Sequence, residues 1–124
     1  MRANTLMVLA GALTVLAASA VAQPKEFEPF DFPTGDPSGV YTMLEMRKVG
    51  KDQVETLVRQ RMVRSGNLSF TRRLIDCKAM RFKTLASAFD DMEGLKRSKP
   101  DPNWSTFVNG SSAHGTAVAA CARL

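Results

Sequence analysis

Two cysteines, Cys77 and Cys121, are the only ones in the chain, and whether they pair decides how small a core this sequence can fold around. A bridge between them closes a loop of about 45 residues, worth roughly 4 kcal/mol in the chain-entropy account. That is a large share of the roughly 5–15 kcal/mol that holds an ordinary domain folded. Pairing depends on the compartment, and the first residues speak to that. Arg2 precedes an apolar run over residues 6–18, and Ala20-Val21-Ala22 follows as a small-x-small triplet. This pattern predicts a cleavable signal peptide over residues 1–22, cut after Ala22. The run falls short of the roughly 20 apolar residues a membrane span needs, so no stable span is expected after cleavage. No cysteine follows the cut to take a lipid. The expected location is therefore periplasmic or secreted, where an even cysteine count reads as one disulfide, Cys77–Cys121. A metal pair would need further ligands.

Beyond the cut lie about 100 residues, enough for one domain. Residues 23–39 are rich in proline, glycine and acid. Each proline fixes its own backbone and biases its predecessor away from helix. A poorly ordered leader is expected there, with packing of Phe27, Phe30 and Phe32 on the domain or on a partner as the alternative. The domain proper is expected over residues 40–124. Residues 40–49, 54–63 and 68–77 read as strands, separated by Gly50-Lys51-Asp52 and by Ser65-Gly66-Asn67. Residues 78–86 continue or restart a strand. Over residues 86–95 a short helix competes with a loop, and residues 104–108 suit a last short strand. Gly110-Ser111-Ser112 offers a hydroxyl cap to an alanine-rich helix over residues 113–122. On that helix Ala113, Ala117, Ala120, Cys121 and Leu124 form one apolar stripe, while Gly115 weakens it by about 1 kcal/mol relative to alanine.

A two-residue turn at Gly66-Asn67 sets a testable register. Val58 would face Ile75, Thr56 would face Cys77 and Gln60 would face Arg73. On the opposite side Arg61 would meet Arg72 and Arg59 would meet Leu74. Side chains alternate across a sheet, so the face holding Cys77 turns inward and the other collects arginines. Two features fit badly: the like-charged pair Arg61–Arg72, and Arg73 on the inward face. A bulge or a longer turn would change the partners.

Asp76-Cys77 at the end of a strand, Arg81-Phe82 shortly after, Trp104, a serine near the start of the last helix and Cys121 near the end form a set. Together they resemble the surface-adhesin protein E family of exported bacterial proteins, over roughly residues 40–124. The resemblance implies a small antiparallel sheet with a C-terminal helix pinned across it by a disulfide, no known catalysis, and, as for the adhesin that gives the family its name, adhesion to host matrix or plasma proteins. Two points depart from the family: the lipid-attachment cysteine of the lipoprotein adhesin is missing, and Asn109 stands where a proline often precedes the serine.

The fold class expected is thus α+β, an antiparallel sheet of about four to six strands with a C-terminal helix packed on one face and tethered by Cys77–Cys121. The chain carries a formal charge of +5, and its arginines and lysines crowd residues 47–83. On one sheet face, Arg59, Arg61 and Arg72 make a candidate contact surface for an acidic polymer or an envelope or host-matrix protein. An ordinary solvated face is the plainer reading. Contact through a sheet edge is the second functional reading. Nucleic acid is not expected, because export removes the usual partner and no stacking platform is evident. His114, the single histidine, lacks an activated nucleophile beside it, since the cap reading already takes Ser111 and Ser112. No enzyme, cofactor or metal site is expected. Trp104 and Phe107 read as core or helix-packing residues rather than a ligand platform. Met43, Met46, Met62 and Met80 read as gap-filling core residues.

Overall fold

Each run of β-branched and aromatic residues becomes one strand of a single antiparallel sheet. A computed structural model describes residues 27–124; the signal peptide expected over residues 1–22 lies outside the described residues. The strands are β1 (Phe30–Phe32), β2 (Gly39–Gly50), β3 (Gln53–Met62), β4 (Leu68–Asp76), β5 (Arg81–Phe89) and β6 (Ser105–Thr106). They lie side by side in chain order, every neighbour antiparallel. Of residues 86–95, where a short helix or a loop is expected, residues 86–89 instead extend strand β5, and a short 3₁₀ helix follows at Met92–Lys96. The chain ends in one helix, α1 (Ser112–Cys121), capped by the Ser111 side chain accepting from the His114 N–H at 3.1 Å. Cys77 and Cys121 are disulfide-bonded, their Cα atoms 5.7 Å apart. The described residues are mostly sheet, and among them the only α-helix is α1.

The main core cluster lies between α1 and one face of the sheet. Phe32, Tyr41, Met43, Val54, Val58 and Ile75 meet Ala117 and Ala120 there. Leu57, Phe70, Ala86 and Ala88 are buried on the other face. The buried side of α1 is Ala113, Gly115, Thr116, Ala117 and Ala120, close to the expected stripe, whereas Leu124 is exposed. Small side chains bring the helix backbone near the sheet but bury little area, so its attachment leans on the disulfide. Of the four methionines, Met43 is fully buried, Met46 packs against the core, and Met80 is exposed in the β4–β5 turn at φ 54°.

The register differs from the expected one in an instructive way. Val58 pairs with Thr71 rather than Ile75, and Arg59 with Phe70 rather than Leu74. The turn is longer than two residues, with the Met62 N–H donating to Asn67 O and the Gly66 N–H to Met62 O. A slip by an even number of residues keeps every side chain on its expected face. It also removes the Arg61–Arg72 clash, because Arg61 now pairs with Leu68 and Arg72 with Leu57. Arg73 does face inward, with its guanidinium 5.8 Å from the Phe82 ring. Burial pushes it down to about 10, and it keeps its proton at neutral pH. Thr56 is opposite Arg73, not Cys77.

The expectation of a poorly ordered leader over residues 23–39 is corrected from Phe30 onward. Phe30, Asp31 and Phe32 pair with Met43, Thr42 and Tyr41 as strand β1, and Phe32 is buried. The domain therefore begins before residue 40. The segment after β1 is pinned by two glycine contacts. A Cβ on Gly115 would sit 2.7 Å from Thr34 Cγ2, and one on Gly35 would sit 2.5 Å from Gly110 Cα and O. Glycine at 115 thus lowers helix propensity but lets α1 approach the Pro33–Thr34 backbone.

Two carboxylates organise the turns. Asp36 accepts from the Ser38 hydroxyl at 2.6 Å and N–H at 3.0 Å, and from the Tyr41 hydroxyl at 2.5 Å. These bonds, led by the Ser38 hydroxyl, hold its carboxyl below the ordinary 3.8. Tyr41 is pushed up to about 12, first by burial and then by Asp36. Asp76 accepts from the Ala79 N–H at 2.9 Å and the Lys78 N–H at 3.1 Å. Those bonds, Ala79 first, outweigh burial and hold it below 3.8 too, with Arg81 adding to them. A carboxyl depressed by folding stabilises above its unfolded value, and the contribution is lost as pH falls through the folded value. The urea midpoint is therefore expected to stay level from neutral pH down to about 4 and to fall below it. The double variant Asp36→Asn, Asp76→Asn should start less stable and decline less steeply in acid; an unaltered acid slope would acquit both groups.

Candidate functional site

The face of the sheet turned away from α1 is built from alternate residues of the central strands. Because Thr56 and Val58 point to the helix side, Leu57, Arg59 and Arg61 of β3 point to the other, joined by their partners Arg72, Phe70 and Leu68 of β4. All three arginines singled out from the sequence share this face. Their environments differ. Arg72 is tied down, its Nη1 lying 3.1 Å from Glu45 Oε1 and 3.2 Å from Glu55 Oε2. The other oxygen of Glu55 is 3.2 Å from Arg47 Nη2. This four-charge network cancels its own field. Arg59 donates to Thr42 Oγ1 at 3.3 Å, and the Thr42 hydroxyl donates in turn to Asp31 Oδ1 at 2.6 Å. Its Nε is buried and has no partner among the described residues. Arg61 is exposed. Among the described residues no carboxylate lies within ion-pair distance of Arg59 or Arg61.

Glu45 was missed as a counterion at the level of sequence. It reaches this face only because Leu44 is an extra residue between Met43 and Glu45, which shifts β2 against β3. A bulge of this kind leaves no period in the sequence. Glu55 was legible, two residues from Leu57 and so on the same face.

A second cationic group lies toward β6. The Arg81 guanidinium is 4.3 Å and the Lys83 ammonium 4.8 Å from the Trp104 ring. Cations over an indole face are attracted by its quadrupole, so Trp104 is half-buried under charged side chains rather than placed in the core. Phe107 does join the core margin, stacked on Phe82 with centroids 4.9 Å apart. His114 meets Phe107 edge-on at 6.1 Å.

Shallow concavities also mark the surface of the described residues, and two of them are well formed. One, of about 280 Å³, lies between β1 and α1; the other, of about 350 Å³, is lined by Pro37, Ser38, Met62, Val63, Arg64 and Ser65. Among the described residues no helix is long and apolar enough to cross a membrane, and no three His, Cys, Asp or Glu side chains are grouped to hold a metal ion. Comparison with protein-family models, with curated proteins and with solved structures returns no match.

Proposed function

We propose that this chain is an exported, non-enzymatic binding protein that holds an acidic ligand, a polyanion or an acidic patch of an envelope or matrix protein, on the arginine-bearing face of its sheet. The observation that carries the reading is the pair Arg59 and Arg61. They stand two residues apart on a central strand, one of them exposed, and neither is neutralised by a carboxylate. A rigid strand presents such charges without the ordering entropy a loop would lose. Arg72, committed to Glu45 and Glu55, supports this pair rather than acting as a third contact. Export is supported by the signal-peptide pattern and is consistent with the disulfide. The likeness of residues 40–124 to the surface-adhesin protein E family supports an adhesin-like role.

Binding to immobilised heparin, followed across an ionic-strength series, tests this. Arg59→Glu with Arg61→Glu is expected to weaken retention about tenfold or more and to flatten its salt dependence, as removal of two unscreened charges should. Arg72→Gln should change retention by less than about threefold. Equal retention of the double variant and the parent would sink the proposal. A second reading, contact with a protein partner along a sheet edge, is favoured by the position of β1 at the margin of the sheet.

A further inference from the structure

The margin formed by β1 has a feature a bare strand edge lacks. Beside it runs the groove of about 280 Å³, walled on one side by Phe30 and Phe32 and on the other by Val118, Ala119 and Ala122 of the helical end of the chain. Val118 is 55% exposed although it sits on an otherwise close-packed helix. Arg123 also lines the groove, with its guanidinium 3.8 Å from the centre of the Phe30 ring. Its Nη1 donates to Ala119 O at 2.9 Å, and no carboxylate of the described residues pairs with it. Asp31 also borders the groove, but its carboxylate is engaged by the Thr42 hydroxyl at 2.6 Å, on the face of the sheet turned away from α1.

Building on the sheet-edge reading, we propose that this groove receives an extended peptide segment of a partner protein. The segment adds to β1, sets an apolar side chain between Phe30 and Val118, and meets Arg123 with a carboxylate. Three physical constraints select this occupant. The outer side of β1 offers main-chain donors and acceptors that only another backbone satisfies in full, the basis of strand addition. Pro29 and Pro33 bracket its three residues and supply no N–H, so main-chain pairing is short and side-chain contacts must supply much of the affinity. The groove is lined mainly by apolar residues and includes Arg123, a cation with no carboxylate partner among the described residues, a pattern complementary to an apolar residue beside an acidic one. Gly115 borders the same groove, and its approach to Pro33 and Thr34 keeps the helix close enough to form the wall.

The test is panning of the disulfide-bonded protein against displayed random peptides, with synthetic copies of those enriched titrated by NMR. Enrichment of sequences pairing a Leu, Ile, Val or Phe with a nearby Asp or Glu is expected, with shifts confined to residues 30–32 and 115–123. Val118→Arg, a change at an exposed position, should weaken binding about tenfold or more by filling the groove. Arg123→Glu should switch the preference from acidic to basic peptides. No enrichment, shifts mapping to the Arg59–Arg61 face or to the Met62–Val63 concavity, or indifference to both variants would overturn the proposal. So would a dimer that occupies the groove with a second copy of the chain. Retention on heparin is read independently, so either reading can fail without the other.

Discussion

Replacement of both Cys77 and Cys121 by alanine is expected to lower the free energy of unfolding by about 4 kcal/mol. The bridge joins residues separated by 44 positions, and opening it returns that loop's entropy to the unfolded chain. The folded side adds to the effect. The helix presents Ala113, Gly115, Thr116, Ala117 and Ala120 to the sheet. Side chains this small remove little apolar area from water, at roughly 25 cal/mol per Å². A ten-residue helix with so modest a docking surface is marginal on its own. Urea unfolding of the alanine pair, beside the parent with and without reductant, measures the loss. Hydrogen exchange should show residues 112–121 opening well before β3 and β4. A loss below about 1 kcal/mol, with the helix still protected, would mean that packing rather than the covalent link holds α1 in place.

The second large effect is expected at Gly35, and its sign turns on two opposing magnitudes. An alanine there restricts the unfolded chain, which stabilises by about 0.4–1 kcal/mol where the native site accepts it. This site does not accept it. The new Cβ would lie 2.5 Å from both Cα and O of Gly110. Those are backbone atoms and cannot rotate aside as a side-chain tip would. Overpacking of this kind costs about 1–3 kcal/mol, and the rigid neighbour places it at the upper end. A net destabilisation of about 2 kcal/mol is expected. The damage should be local. Residues 33–38 should become cleavable by protease while the β3–β4 ladder stays intact. Parent-like stability in Gly35→Ala would show that the loop at Gly110 yields easily, and that residues 30–36 are not clamped to the domain.

The arginine face shows how a reading of strand parity survives an error in pairing. Arg59, Arg61 and Arg72 reach one face because side-chain direction depends only on counting residues along a strand. The expected turn at Gly66-Asn67 was too tight, yet the slip from Ile75 to Thr71 opposite Val58 was even and cost nothing in facing. Which charges neutralise one another was another matter. Glu45 meets Arg72 across an intervening strand, after a bulge at Leu44 has turned it over. That choice separates Arg61, with no carboxylate partner among the described residues, from Arg72, which is paired. It depends on atoms 27 positions apart in the chain.

Local order along the chain determined the strand segments, the capped terminal helix, the alternation that puts arginines opposite the core, and a pair of cysteines suited to one bridge. Each follows from backbone preference or from a period of a few residues. The tertiary structure alone decided that Phe30–Phe32 is an edge strand, that glycines 35 and 115 are points of close approach, and that a groove opens between the first strand and the last helix. These features bring together segments some eighty residues apart, where a contact is settled by whether volumes fit and charges meet, and neither leaves a trace in neighbouring residues.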